Sequence, residues 1–448
     1  MAPSTGSYHS LPAQQSETRV LAARLAEHVG QSVTLAGWLQ HRRALGGVTF
    51  LVIRDRSGAA QAVVEDEQIE SVLGPLQVES VLAIRGVVAA EPRARGGAEL
   101  RVASVEIVSA VTEPAPFEIN RPILKPALDI ALDHAAIALR HARRRSALEI
   151  MARLAEGWRA ALRGRGFVEI FTPKIVGSAT EGGANVFPVE YFGRDAFLAQ
   201  SPQLYKQVMV GVHERVFEIG PVFRAEPHAT TRHLNEYVSL DLEFGFIRDH
   251  YDVMRLVQDV LDEMLDDVRA SCADELALHE ATVPEVGMIP VVSFRKAQQV
   301  ILDEFGEDCR REQDLSPQHE RWLGEWARRV HGSDFLFVEG YPTAKRPFYT
   351  MPNPDDPEVT NSFDLLFRGL ELITGGQREH RYERLLAVME RRGVDAAPFA
   401  GYLEAFKYGM PPEGGCAAGL ERFVAQLLGI ANIREVTAFP RDINRLAP

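Results

Sequence analysis

Four prolines within the fifteen residues TEPAPFEINRPILKP, from Thr112 to Pro126, separate two stretches whose residue patterns call for different architectures. Proline withholds a backbone donor and restricts its neighbour, so neither a helix nor a central strand continues through such a segment. Before it, five short runs fill residues 33 to 108: VTLAGWLQH, VTFLVIRD, AAQAVVE, VLAIRGVVA and ELRVASVEIV. Turn signals such as Gly46-Gly47 and Ser57-Gly58 part them, and the set predicts a small closed β-barrel. After it, Leu139, Ala142, Leu148, Met151, Leu154 and Leu162 recur at helical spacing, which predicts a helix from Ala135 to Arg165 ended by Gly164-Arg165-Gly166. Strand runs (VFEIGPVFRAE, YVSLDLEFGF, FLFVEGYP) then mix with amphipathic helices (YDVMRLVQDVLDEMLDDV, RYERLLAVMERRG) without βαβ alternation, which predicts an α+β domain on an antiparallel sheet. The resulting division is a flexible tail over 1–17, a barrel over 18–112, a hinge over 113–134 and a mixed domain over 135–448.

Composition narrows the function classes. Among 448 residues, 49 Lys and Arg against 62 Asp and Glu give a net charge of −13. That argues against indiscriminate nucleic-acid binding but leaves room for a shaped, local RNA site. Cys272, Cys309 and Cys416 lie far apart, which argues against a disulfide framework and a cysteine zinc site. The polar amino terminus lacks the basic and apolar segments of a signal peptide, and no apolar run reaches bilayer-spanning length, so a cytoplasmic protein is expected.

The chemistry concentrates in a few segments. In RVFEIGPVFRAEPHATTRHLNEYVSLDLEFGF, residues 215–246, two strand-like runs flank a polar loop holding His228, Arg232 and His233. Alternation places Arg224 and Glu226 on one face of the first strand. On the second it places Tyr237, Ser239, Asp241 and Glu243 on one face, with Val238, Leu240, Leu242 and Phe244 toward the core. Such a face can grip a nucleotide, with Arg for a phosphate, the ring for a base and a carboxylate for an exocyclic amine; the same pattern also describes a solvent face laced with ion pairs. GGCAAGLERFVAQLLG runs from a glycine-rich strand into an apolar helix with Arg422 at the junction, and GFVEIFTPKIV sets Pro173 after an edge-strand pattern. In SFDLLFRGLELITGG a two-residue turn at Arg368-Gly369 pairs Leu366 with Glu371, so Asp364 shares a face with Glu371 as a diagonal neighbour. Two carboxylates and the Thr374 hydroxyl are hard oxygen ligands suited to Mg²⁺, although exposed acids are common without a metal.

Three of these segments in this order, FVEIFTPKI, FRAE…RHLNE…DLE and GLERF, resemble the three signature motifs of class II aminoacyl-tRNA synthetases. The barrel segment GWLQHRRALGGVTFLVIRDRSGAAQAVV is similar to the oligonucleotide-binding (OB-fold) anticodon domain of the subgroup serving Asp, Asn and Lys. ATEGGANVF, LAQSPQLYKQ, FYTMPNPDDPEVTNSFDLL and TGGQREHRYE resemble the archaeal-type aspartyl-tRNA synthetases. The resemblance implies a class II catalytic domain that joins L-aspartate to tRNA through an adenylate, with ATP as co-substrate and Mg²⁺ as cofactor. It implies that Arg224 binds the α-phosphate and the acyl group, that Glu226 meets the adenine amine, that Tyr237 stacks on the ring, and that Arg422 contacts the γ-phosphate. Arg232, His233 and Leu234 of the loop, with Glu371, complete the ATP contacts. Asp364, Glu371 and Thr374 match the metal-binding positions. Arg378 and Lys206 match the pair that neutralises the substrate side chain, with Glu181, Ser201, Gln203, Asp241 and Thr374 around the amino acid. In the barrel, Phe50 matches an aromatic that stacks on the central anticodon base and Gln61 a base-reading amide; alone, Phe50 could equally be a core residue. Pro173 matches the proline of a homodimer interface.

Two departures matter. Where tRNA(Asp)-restricted relatives carry a Trp after the GW of the first barrel strand and a Lys in a later loop, this chain has Gln40, His41 and Pro92. It resembles the relaxed enzymes that charge both tRNA(Asp) and tRNA(Asn), which implies a tRNA-dependent amidotransferase downstream. In the third motif, Cys416-Ala417-Ala418 replaces glycines and larger apolar residues, and Glu413 stands where His is common. Alternatives are an enzyme restricted to tRNA(Asp), an asparaginyl-tRNA synthetase, a small-molecule ligase built on this catalytic domain, and a non-catalytic RNA-binding or scaffold paralogue. Retention of Arg224, Glu371 and Arg422 weighs against the last, and retention of the barrel against the small-molecule ligase.

Overall fold

The computed structural model describes residues 19–177, 185–227 and 230–447, and the chain divides into two compact units at Arg121 and Pro122. The division falls inside the proline-rich stretch. The tail over 1–17, Glu181 and His228 lie outside the described residues.

In the first unit, β1 (Ser32–Leu45), β2 (Val48–Asp55), β3 (Gly58–Val64), β4 (Val81–Ala90) and β5 (Ala98–Ser109) close into a barrel of order β1-β2-β3-β5-β4, with helix α1 (Glu67–Leu73) between β3 and β4. Alternation fills its interior: Val33, Leu35, Leu39, Leu51, Ile53, Ala60, Ala62, Leu82, Ile84 and Leu100 form one buried cluster. Closing so small a barrel brings backbones together. A Cβ on Gly37 would lie 2.2 Å from the Arg54 carbonyl oxygen and one on Gly86 2.0 Å from that of Arg101, so only glycine fits at these two positions.

The second unit begins with α2 (Leu128–Asp133), α3 (Ala135–Ala138) and α4 (Ala142–Gly164). The helix expected from Ala135 is therefore two pieces. His141 takes an extended backbone (ψ 137°) and accepts a hydrogen bond from the Arg143 amide, capping α4 where helical spacing alone suggested continuity. Then come β6 (Val168–Glu169), β7 (Ile175–Val176), β8 (Pro188–Tyr191), β9 (Arg194–Leu198), α5 (Gln203–His213), β10 (Arg215–Phe223) and β11 (Glu236–Gly245). Helices α6 (His250–Ser271) and α7 (Ala273–Leu278) precede β12 (Val291–Ser293), α8 (Phe294–Phe305), α9 (Pro317–His331) and β13 (Phe335–Glu339). The unit finishes with β14 (Ser362–Phe367), β15 (Leu370–Arg378), α10 (Tyr382–Arg391), α11 (Ala400–Lys407), β16 (Glu413–Gly419) and α12 (Leu420–Leu428).

Eight strands form one sheet of order β12-β13-β14-β15-β16-β11-β10-β6, antiparallel except at its two ends, and β7, β9 and β8 form a small second sheet. One face of the large sheet packs against α4, α6 and α12 through Trp158, Met264, Phe363, Leu365, Leu240, Leu242 and Phe423. Truncating a side chain such as Trp158, 1% exposed, costs about 3–5 kcal/mol in a core of this kind. Among the described residues, helices cover the opposite face at its ends, α8 and α9 over β13 (Leu336, Val338, Leu323) and α5, α10 and α11 beside β10 (Val216, Leu385, Tyr402). The polar alternate residues of β11 and β15 point to the centre of that face, between these helices.

Candidate active site

A cavity of about 400 Å³ occupies this centre. Its floor is Tyr237, Ser239 and Asp241 of β11, Glu371, Thr374 and Arg378 of β15, and Ala417 to Gly419 of β16. The alternation read from sequence therefore sorts β11 correctly, with Leu240, Leu242 and Phe244 in the core beneath. Strand β10 ends at Phe223, so Arg224 and Glu226 are not strand residues as expected; they follow the strand in an irregular segment that the Arg224 amide ties to the Asn235 carbonyl at 2.9 Å. Both still line the cavity, with Arg232, His233 and Leu234. The Arg224 guanidinium lies 5.9 Å from the Tyr237 ring centre and 4.0 Å from Glu226 Oε1.

Arg422 reaches the cavity from the first turn of α12, where its Nη1 donates to the Glu371 carbonyl at 2.9 Å. Beside it Glu421, 3% exposed, accepts from the Val238 amide with both oxygens at 3.1 Å, and burial outweighs those hydrogen bonds to push its carboxyl up to about 7. Arg232 is anchored by Glu320 of α9 at 2.7 Å, and Glu320 also accepts from the Glu371 amide at 3.1 Å.

The amino-acid end of the cavity is a dense ion network. Arg378, 6% exposed, donates from Nε to Glu243 Oε1 at 2.8 Å and from Nη2 to the Gly415 carbonyl at 3.0 Å and Gln203 Oε1 at 3.3 Å. Its Nη1 takes no part in these bonds. Burial pulls the guanidinium down, and Glu243 more than reverses the effect, so its net shift is upward. Ser201 and Gln203 line the same end. Lys206, expected beside Arg378 on the substrate, does not line the cavity. It is 1% exposed and its Nζ is held by Asp241 Oδ1 at 2.9 Å, Glu243 Oε2 at 3.2 Å and the carbonyls of Cys416 and Leu242 at 3.1 and 3.3 Å. Lys206 thus supports the cavity from behind Asp241.

The candidate metal ligands come together as the hairpin predicts. Leu366 pairs with Glu371 across a turn in which Arg368 and Gly369 both have left-handed backbones (φ 49° and 75°). A bulge at Leu372, which alternation does not reveal, lets Glu371 and Thr374 face the same side although three residues apart. Thr374 stands opposite Asp364 and donates to its Oδ1 at 2.7 Å. Glu371 and Thr374 line the cavity while Asp364 stands behind them. Burial, and then the Asp364 charge, push the Glu371 carboxyl up to about 7. The Glu371 carboxyl beside the Asp364 carboxylate is an oxygen-donor set that a divalent cation would satisfy. Arg346, Tyr349 and Thr350 also line the cavity, and Arg346 donates to Asp364 Oδ1 at 2.7 Å. The sequence holds no periodic signal for Arg346: it stands in an irregular segment before Pro347 and matters only because the fold returns it to β14.

On the barrel, His41, Val52, Gln61 and Glu99 form one outward row across β1, β2, β3 and β5, and Arg43, Phe50, Val63 and Arg101 form the next. Phe50 is half-buried and outside the core cluster. It is the diagonal neighbour of Gln61 and stands directly opposite the exposed Arg43, with Val63 on its other side. Gln61 donates to Glu99 Oε2 at 2.9 Å. A recess on this face is lined by Gln40, His41, Gln61, Asn120 and Arg95, the last from the β4–β5 loop in which Pro92 is exposed. Pro173 is exposed near Phe171, which is 83% exposed.

Comparison with known proteins agrees with this geometry. Residues 127–443 match the family of class II tRNA synthetases (D, K and N), and residues 33–108 match the OB-fold nucleic acid binding domain. The chain is 48% identical to the aspartate–tRNA(Asp/Asn) ligase of Thermus thermophilus over 96% of its own length and 100% of the relative's. It is 40% identical to the aspartate–tRNA(Asp) ligase of Pyrococcus horikoshii, covering 94% of this chain and 97% of that one. Among solved structures, asparaginyl-tRNA synthetase from P. horikoshii with asparaginyl-adenylate superposes with a TM-score of 0.90 at 32% identity, covering 96% of this chain and all of that one. Aspartyl-tRNA synthetase from Entamoeba histolytica gives 0.86 at 30% identity, covering 99% and 96%. Both units are thus accounted for by matches over nearly the whole chain, and this chain belongs to the class II aminoacyl-tRNA synthetases, in the group that serves aspartate, asparagine and lysine.

Proposed function

We propose that this chain activates L-aspartate with ATP and transfers it to both tRNA(Asp) and tRNA(Asn). The observation that carries the choice of amino acid is Arg378: a buried guanidinium, raised in basicity, held by Glu243 and lining the cavity. A side-chain carboxylate completes that arginine, whereas the amide of asparagine leaves it short of charge.

In the first step an oxygen of the aspartate α-carboxylate attacks the α-phosphorus of ATP and pyrophosphate leaves. In the second the terminal ribose hydroxyl of tRNA attacks the acyl carbon and AMP leaves. No side chain needs to act as nucleophile; catalysis is positioning and charge. Arg224 holds the α-phosphate, Tyr237 carries the adenine, Glu226 reads its amine, and Arg232, His233, Leu234 and Arg422 hold the remainder of the nucleotide. Ser201, Gln203, Asp241 and Thr374 orient the amino acid, with Lys206 keeping Asp241 in place. Asp364, Glu371 and Thr374 would hold Mg²⁺, which neutralises phosphate charge when bound.

Phe50 and Gln61 read the anticodon, and Gln40, His41 and Pro92 leave its third base unpoliced. Dual charging also fits the relatives of T. thermophilus and Deinococcus radiodurans, both aspartate–tRNA(Asp/Asn) ligases at 48% and 47% identity. Charging tRNA(Asn) with aspartate calls for a tRNA-dependent amidotransferase as partner. Two copies associate through the segment at Pro173, where Phe171 and Ile175 expose apolar surface, and the enzyme works in the cytoplasm; no helix among the described residues is long and apolar enough to cross a membrane. Aspartylation of two transcripts, with the Asp and the Asn anticodon, tests the proposal. Charging of both is expected. Charging of the Asp transcript alone would restrict the enzyme to tRNA(Asp), and charging of neither would refute the activity.

A further inference from the structure

Glu413 opens β16 and is fully buried. Its Oε1 accepts from Gln207 Nε2 at 3.0 Å, and its Oε2 has no hydrogen-bond partner. Around it stand Gln207 and Lys206 of α5, Arg378 directly opposite on β15, Glu243 of β11, and Tyr402 of α11, whose hydroxyl donates to Gln207 Oε1 at 3.2 Å. The two cations nearby are already engaged: Arg378 holds Glu243, and Lys206 is shared by Asp241 and Glu243. A carboxylate with one neutral donor, an orphaned oxygen and a second carboxylate as neighbour is strongly disfavoured out of water. Burial first, and Glu243 second, hold this carboxyl well above the usual range against the pull of Gln207, Arg378 and Lys206. With Glu413 neutral, Lys206 and Arg378 balance Asp241 and Glu243; with Glu413 ionised, the set carries a net negative charge just behind the substrate arginine.

We propose that Glu413, kept as the neutral acid, is a specificity-setting residue that acts through Arg378: its proton keeps the pocket receptive to an anionic side chain, and loss of that proton erodes the preference for aspartate over asparagine. The idea rests on the aspartate-activating function above. Glu413 does not line the cavity, so its effect is electrostatic rather than by contact.

The test is aspartate-dependent ATP–pyrophosphate exchange by the full chain from pH 6.5 to 9, with asparagine as competitor, for the wild type and Glu413→Gln. Titration of the substrates' own ammonium groups is common to both proteins and cancels in their ratio. Relative to the variant, the wild-type KM for aspartate is expected to rise on the order of tenfold across the range, and the ratio of the asparagine KI to that KM to fall, while the KM for ATP keeps the same profile in both. Parallel aspartate profiles in the two proteins would overturn the proposal. If Glu413→Gln does not fold, calorimetry of aspartate binding to the wild type at steps from pH 6.5 to 9, in two buffers of different ionisation enthalpy, replaces it. Proton uptake beyond that of the ligand's ammonium is expected to appear as the pH rises, and its absence at every step would overturn the proposal equally. No aspartate-dependent exchange at pH 7 would instead refute the activity itself, an outcome distinct from normal exchange with an unaltered pH profile.

Discussion

Arg346 and Thr374 share one oxygen: both donate to Asp364 Oδ1 at 2.7 Å, and Arg346 Nη1 also donates to the Thr374 hydroxyl at 3.1 Å. The carboxylate is therefore positioned before any cation or phosphate arrives, and Arg346 supplies positive charge to the acid pair in the meantime. Replacing Asp364 by Asn keeps the shape and removes the charge. The expected result is a fall in the rate of adenylate formation of about a hundredfold or more, with a much smaller change in Tm. Exchange activity within threefold of the wild type at saturating magnesium would show that Asp364 is not a metal ligand.

Arg378 carries the substrate choice, and lysine cannot replace its planar fork. For Arg378→Lys the KM for aspartate is expected to rise by about two orders of magnitude while the KM for ATP moves less than threefold. Equal increases in both constants would mean the cavity collapsed rather than lost its selectivity.

On the barrel, Phe50 lies outside the core, so Phe50→Ala is expected to leave the melting temperature within about a degree or two and to leave ATP–pyrophosphate exchange untouched. Its cost falls on RNA: loss of one stacked base is worth about 1–3 kcal/mol, so the KM for tRNA should rise at least fivefold. A destabilised barrel with unchanged tRNA affinity would contradict the surface assignment.

Glu421 makes a pH-dependent contribution to stability whose sign follows from its burial. Its carboxyl titrates near 7 in the folded chain and lower when unfolded, so between those values the folded state binds more protons. The group therefore favours folding at low pH and costs stability as pH rises from about 4.5 to 7, by up to about 3 kcal/mol. Glu421→Gln retains an acceptor for the Val238 amide and removes the titration. Denaturant unfolding at pH 5 and 7.5 should show the variant gaining on the wild type at the higher pH; identical pH profiles would place the ionisation elsewhere.

The barrel and the floor of the cavity were legible in the sequence because both depend on alternation, which survives in five barrel strands and in β11 with little interference from turns. The hairpin at Arg368-Gly369 was legible for the same reason, since a two-residue turn leaves one register. Alternation and helical spacing did not deliver two local irregularities, the cap at His141 that breaks the helix and the bulge at Leu372 inside its hairpin. Nor did they deliver the placement of Lys206 behind Asp241 or the return of Arg346 to β14, which are decided by partners distant in sequence, as Arg346 and Asp364 show at a separation of 18 residues and Lys206 and Cys416 at 210. The resemblance to a known family supplied candidate roles for these residues, but the burial of Lys206 came only from the fold.

Strand β16 sits between β15 and β11 in the middle of the large sheet, although it comes last in chain order among the strands of that sheet. The barrel has all its strands by Ser109 and can close early in synthesis, whereas the two halves of the catalytic sheet must wait for Glu413–Gly419 before they can join. A product cut short by a premature stop would therefore present a finished RNA-binding module attached to an unfinished enzyme, able to occupy tRNA without charging it.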